Sequence, residues 1–371
     1  MDRRTNNTER APSEALRLNH GVAFEDLYDR GGLVRIDAAF LSHLAADDPG
    51  LAERLKSARA APDALDRKAE SELLIEISPY VDDFLAELFD IEAELAVLAN
   101  AHEDLNHVFT CRRLFVQRVA LKKIKADDAV ALDGSALERE LTEYLNGAFD
   151  EDLFARAVLG WLEDAEAHGE ALGLAARYAA WRVHAGDHGA ASVLFKTPGK
   201  IDPYNLVPVL EQAEHDNVSM LEIGADHVRR RDGFELTEPT PSLEAALSEG
   251  HYCIFCHNQG KDSCAHGLSD KKTGEFRTST FGVKLAGCPL EEKISEMHLV
   301  KTRGEVIGAL AMAVVDNPMV VGTGHRICND CMKACVFQKQ EPVDTPLAET
   351  RTLADVLELP WGFEIYGLLT R

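Results

Sequence analysis

Seven of the chain's eight cysteines fall between Cys253 and Cys335, and only Cys111 lies outside that stretch. They come in groups: Cys253-x2-Cys256-x7-Cys264, then Cys288 followed at once by Pro289, then Cys328-x2-Cys331-x3-Cys335. Thiols this close together either pair with one another or grip a metal, and in a reducing compartment metal is favoured. The opening "MDRRTNNTERAPSEALRLNHG" is charged from its second residue and has no apolar core, so no secretory signal is expected and the chain is read as cytoplasmic.

Three chemistries compete for these ligands. Two CxxC pairs form the usual knuckles of a tetrahedral zinc site. Here 71 residues separate Cys256 from Cys328, whereas compact zinc ribbons separate their pairs by roughly 15–20 residues. Zinc also leaves Cys264, Cys288 and Cys335 unexplained. A redox CxxC dithiol calls for a βαβ context that the surrounding sequence does not supply. Iron–sulfur cubes take thiolates from a tight run and from a distant segment often followed by proline, and the chain offers two tight runs and one Cys-Pro. Spacing therefore favours two 4Fe-4S clusters, one ligand short, with a zinc-stabilised interaction or regulatory protein as the alternative.

The rest of the chain reads as helix. In "YVDDFLAELFDIEAELAVLANAHEDL", Val81, Phe84, Leu85, Leu88 and Ile91 fall on one helical side. Similar segments follow at "ALERELTEYLNGAF", "LFARAVLGWLEDAEAHGEALGLAARYAAWRVHAG" and "NLVPVLEQAEHD", and the one strand candidate is "ASVLFKT" near Leu194. The turn-rich "TEPTPS" places a boundary near residues 235–248. The apolar "VIGALAMAVV", bounded by Glu305 and Asp316, is too short for the roughly 20 residues of a bilayer span and is expected to be a buried helix. With 63 acidic against 39 basic side chains the net charge is -24, which argues against nucleic acid or a membrane as partner.

With these pieces in place, "GCPLEEKISEMH", "GEVIGALAMAVVDNPMVVGTGHRICNDCMKACVFQKQEPV" and "LADVLELPWGFEIYGLLTR" resemble the N-terminal iron–sulfur module of the glutamate synthase small-subunit family, shared with dihydropyrimidine dehydrogenase. The resemblance covers about Ser248 to Glu349. It implies an α-helical ferredoxin domain with two 4Fe-4S clusters, one held by Cys253, Cys256, Cys264 and Cys335, the other by Cys288, Cys328, Cys331 and, as a non-cysteine ligand, Glu349. A polar insertion separates Cys264 from Cys288, so it is expected to loop out, with His257 or His266 as substitutes for Cys264 otherwise. The family passes electrons between a nicotinamide, a flavin and the clusters. No GxGxxG fingerprint occurs in this chain, so FAD and NAD(P)H are expected only on a partner flavoprotein domain or subunit.

The expected architecture is all-α: a helical domain over 1–240, an α-helical ferredoxin domain over 245–350, and a linker or docking tail over 351–371. The expected activity is electron transfer as the iron–sulfur part of an oxidoreductase, with no catalytic residue of its own. Other features receive plain readings. His184 and His188 in "HAGDHG" are read as a surface loop, Cys111 as a buried structural cysteine, "HVRRRDGF" as a solvated helix end, and Met297, Met312, Met319 and Met332 as core filler. Gly322 and Gly324 are read as positions where the backbone comes close to sulfur.

Overall fold

A computed structural model describes residues 16–185, 192–206, 209, 211–215, 218–224, 228, 232–234, 239–324 and 327–371. His188 and the basic run Arg229–Arg231 lie outside the described residues. The described chain is overwhelmingly helical. Helices α1 (Arg30–Asp47), α2 (Pro49–Ala60), α3 (Arg67–Phe89) and α4 (Glu92–Cys111) lead into a wider π-helical stretch over Arg112–Ala120. Then come α5 (Gly134–Leu145), α6 (Glu151–Glu163) and α7 (Gly169–His184), so the long segment with helical spacing forms two helices. Helices α1, α2, α3, α5 and α6 each begin on an aspartate whose carboxylate accepts amide hydrogen bonds of the first turn.

Two sequence expectations are corrected here. "NLVPVLEQAEHD" is not helical: Glu211–His215 (β1) pairs antiparallel with Val218–Glu222 (β2), Gln212 opposite Leu221. A proline within the segment disfavours a continuous helix on sequence grounds. "ASVLFKT" in turn is no strand. Its amides at Val193 and Leu194 donate to the Glu151 carboxylate at 3.2 and 3.0 Å, and the Val193 carbonyl accepts from Arg112 at 3.1 Å. Side chains thus take the place of a neighbouring strand.

Packing runs across the boundary expected near 235–248. One core joins α4, the π-helical stretch, α5, α6 and α7, with Leu194 and Phe195 beneath them and Leu247 reaching in. Cys111 is fully buried in it, and burial pushes its thiol up to about 12. A second core joins Val22, Phe84, Leu85, Leu88 and Ile91 to residues far along the chain, Val306, Ile307, Leu310, Val356 and Ile365. The later helices are α8 (Leu243–Tyr252), α9 (Ile294–Thr302), α10 (Val306–Val314), α11 (Thr345–Leu357) and α12 (Gly362–Leu369). Residues 351–371 are packed into this second core rather than running free as a linker, with Val356 and Ile365 fully buried.

The seam between α3 and α10 follows from a proline. Pro79 sits inside α3 and has no amide hydrogen to give to the carbonyl of Ile75, and the Ser78 hydroxyl donates to that carbonyl instead, at 2.8 Å. α10 crosses at this point through Gly308, where a Cβ would stand 2.8 Å from the Ser78 carbonyl oxygen. The Gly308 amide donates to the buried Asp82 carboxyl at 2.7 Å. Among the described residues no helix is long and apolar enough to cross a membrane.

Two outcomes test this seam. Gly308→Val forces the helices apart and lowers stability by about 1–3 kcal/mol, read as a shift of the denaturant midpoint. Burial, reinforced by the charge of Glu305, pushes the Asp82 carboxyl up to about 8 from its ordinary 3.8. The folded protein therefore holds a proton that the unfolded chain releases, and stability falls as pH rises from about 4 to about 8. Asp82→Asn, which keeps an acceptor for Gly308, should flatten that slope in urea titrations at pH 5 and pH 8; an unchanged slope would remove Asp82 as its source.

Candidate functional site

The cysteine loops are built so that backbone amides face sulfur. α8 ends at Cys253, and the amide of Phe255, two residues on, donates to Cys253 Sγ at 3.4 Å. The Asp330 amide does the same for Cys328, again two residues on and at 3.4 Å. The amides of Leu290 and Glu292 face Cys288, and those of Phe337 and Val343 face Cys335. To aim these groups the loops adopt uncommon backbone: Phe255 and Glu291, neither a glycine, hold left-handed conformations at φ 52°.

The insertion between Cys264 and Cys288 closes on itself. The Cys288 amide donates to the Cys264 carbonyl at 2.8 Å, so residues 24 apart in sequence are hydrogen-bonded neighbours. Gly267 and Gly287 form the neck with φ of +86° and +83°, and a Cβ on Gly287 would lie 2.5 Å from the Gly267 nitrogen. Beyond the neck, Leu268 pairs with Leu285 and Arg277, which leaves the polar remainder outside.

Cys253, Cys256, Cys264, Cys331 and Cys335 line one cavity, together with His298 of α9. Within this set, the charges that Cys253, Cys256, Cys264 and Cys335 carry as thiolates act on one another. Cys331 also feels Cys288 and Glu349, and Cys288 feels Glu349 and Glu292, which marks a second grouping beside the first. Cys328 is exposed at the rim. Among the described residues no group of three or more His, Cys, Asp or Glu side chains is gathered as one bound metal ion requires.

Burial sets the charge state of the walls. It pushes the thiol of Cys253 up to about 12 and that of Cys256 up to about 11. It raises Cys331 as well, and Cys264 goes well up through burial and then through Asp262, whose carboxylate accepts from Cys264 Sγ at 2.8 Å. Asp262 also accepts from the Ser295 hydroxyl at 3.0 Å, and His257 Nδ1 meets that hydroxyl at 2.7 Å. His257 is thus engaged with Ser295, and His266 lies 3.2 Å from Glu291, while Cys264 itself faces the cavity.

Glu349 is buried and hydrogen-bonded to a second buried carboxyl, Glu292, which is also bonded to Asn317. Burial, then the charge of Glu292, pushes Glu349 up to about 9, so the two carboxyls share a proton at neutral pH. Sequence reading missed Glu292; the signal was the Glu-Glu pair directly after "CPL". It also missed His298, whose imidazole burial holds down at about 4. Of the remaining readings, Met297 and Met312 are core, but Met319 is exposed. Gly324 abuts Val320 of its own turn, and nothing comes within 4 Å of a Cβ on Gly322.

In protein stripped of metal and held at pH 7.5, alkylation followed by mass spectrometry should label the exposed Cys328 first and the fully buried Cys111 last. Equal rates at all eight cysteines would contradict the burial described above.

The RP005 N-terminal alpha-helical domain family matches residues 18–90, the stretch whose helices share a core with α10 and α12. "Uncharacterized protein RP006" of Rickettsia prowazekii (strain Madrid E) is 64% identical over 53 residues, which are 14% of this chain and 8% of that one. No solved structure matches the chain. "Uncharacterized protein RP005" of the same organism is 32% identical over 304 residues, covering 78% of this chain and 99% of its own length. The chain therefore belongs to the RP005 family.

Proposed function

We propose that this protein is an iron–sulfur electron-transfer module or subunit of an FAD- and NAD(P)H-dependent oxidoreductase resembling the glutamate synthase small subunit. The observation that carries the reading is the set of backbone amides aimed at Cys253, Cys288, Cys328 and Cys335. Amide hydrogen bonds to sulfur favour thiolate over thiol and tune the potential of a bound cluster. They are of little use to free thiols in a core.

The residues divide as two four-ligand sets. Cys253, Cys256, Cys264 and Cys335 would hold one 4Fe-4S cluster in an α-helical ferredoxin arrangement. Cys288, Cys328, Cys331 and Glu349 would hold the other, with Glu292 positioning Glu349 through their shared hydrogen bond. Bound clusters of this type take up and give up single electrons. The chain's own residues supply ligation, exclusion of water by the apolar flanks of the cavity, and amide donors. FAD and NAD(P)H belong to a partner flavoprotein, and the recurrence of 53 residues within a much longer relative supports a part that operates beside further domains.

Anaerobic purification with metal and sulfide analysis tests the reading. About eight iron and eight sulfide per chain, with signals of reduced clusters in electron paramagnetic resonance, are expected. Cys253→Ala should remove about half of the iron and one signal, and Glu349→Ala should disturb only the other. Stoichiometric zinc without sulfide would replace electron transfer by a zinc-stabilised interaction protein.

A further inference from the structure

His298 lines the thiol cavity, and the ligand sets do not explain its position. α9 turns Ile294, Ser295 and His298 toward the cavity, positions that share one helical face. Ser295 is satisfied by His257 and Asp262. His298 is fully buried, and neither of its ring nitrogens has a hydrogen-bond partner among the described residues. α8 packs beside it, and a Cβ on Gly250 would stand 3.9 Å from His298 Nδ1, an ordinary contact distance.

A buried imidazole without a partner is costly, and an apolar side chain of the same size would pack here without that cost. Being neutral, the ring carries one N–H donor. The acceptors that line the cavity are the five cysteine sulfurs and the hydroxyls of Ser263, Ser295 and Thr345, and the rest of its wall, Ile254, Ile294, Val336, Phe337 and Val343, is apolar.

We propose that His298 donates an N–H hydrogen bond to a sulfur of the group held by Cys253, Cys256, Cys264 and Cys335, and thereby raises the reduction potential of that group. The inference rests on the iron–sulfur reading above. A donor directed at sulfur stabilises the reduced state, which carries one more negative charge, more than the oxidised state. His298 is in this sense a positioning and tuning residue and supplies no bond to iron.

The test is a dithionite redox titration of the anaerobically purified chain, followed by electron paramagnetic resonance, on wild type, His298→Leu and His298→Gln. His298→Leu should keep the wild-type iron and sulfide content while one of the two couples moves to a more negative potential and the other stays. His298→Gln, which returns an N–H, should recover most of the shift. Wild-type potentials in His298→Leu overturn the proposal and leave the iron–sulfur reading standing, whereas wild-type protein without iron and sulfide overturns both. Should His298→Leu fail to fold, wild-type protein carrying nitrogen-15 histidine decides the matter by pulsed resonance. A weak histidine nitrogen coupling to one reduced cluster supports the hydrogen bond. No coupling, or the strong coupling of a nitrogen bonded to iron, overturns it.

Discussion

Lys301 and Asp355 meet at 2.8 Å with almost no surface exposed, and Arg351 closes on the other oxygen of Asp355 at 2.6 Å. An ion pair buried this deeply adds little over apolar side chains of equal volume, but removing one partner strands the other at a cost of about 3–5 kcal/mol. Its consequence is geometric, since the charges are satisfied in one register of α9 against α11. Through that register α9 presents Ser295 and His298 to the cavity, while α11 brings Thr345 to the cavity wall and carries Glu349. A slip of one turn would unpair Lys301 and carry both sets of side chains off the cysteines.

Helices beyond this pair support it as well. α3 and α10 cross where Pro79 has freed a carbonyl and Gly308 allows close approach, and α10 packs in turn on α11. The domain matched over residues 18–90 is therefore not an appendage, because its apolar face is covered by Val306, Ile307 and Leu310. Separated from the later helices, that face would be open to water. The helices around Phe154 and Tyr178 have a core of their own, yet Arg112 ties them to the start of the cysteine loops by donating to Ser248 at 2.7 Å.

Local pattern explains which features the sequence disclosed. The face of α3 bearing Phe84, Leu85 and Leu88 and the apolar run of α10 are periodic over a few turns, so their burial could be read directly. The cysteine groups stand out for the same reason. Whatever depends on partners distant in the chain stayed hidden. The "ASVLFKT" segment reads as a strand until Glu151 and Arg112 are seen capping its backbone. The boundary near 235–248 reads as a divide between cores because sequence shows composition changing there, and does not show that residues 22–95 pack on residues 306–365. The Glu-Glu pair after "CPL" does not show that Glu292 meets Glu349, His298 bears no motif, and only the fold sets one beside Glu349 and the other beside the thiols.

Two opposing electrostatic influences meet at these thiols. Burial and neighbouring carboxylates keep Cys253, Cys256 and Cys264 protonated at neutral pH, while the amide donor at Cys253 works in the other direction without prevailing. On the iron–sulfur reading proposed above, a cationic core would reverse the balance, because its charge would compensate the thiolates that burial alone disfavours, and their protons would leave as it bound. Pre-aimed amides lower the cost of that change, since the donors need not be reorganised when charge arrives.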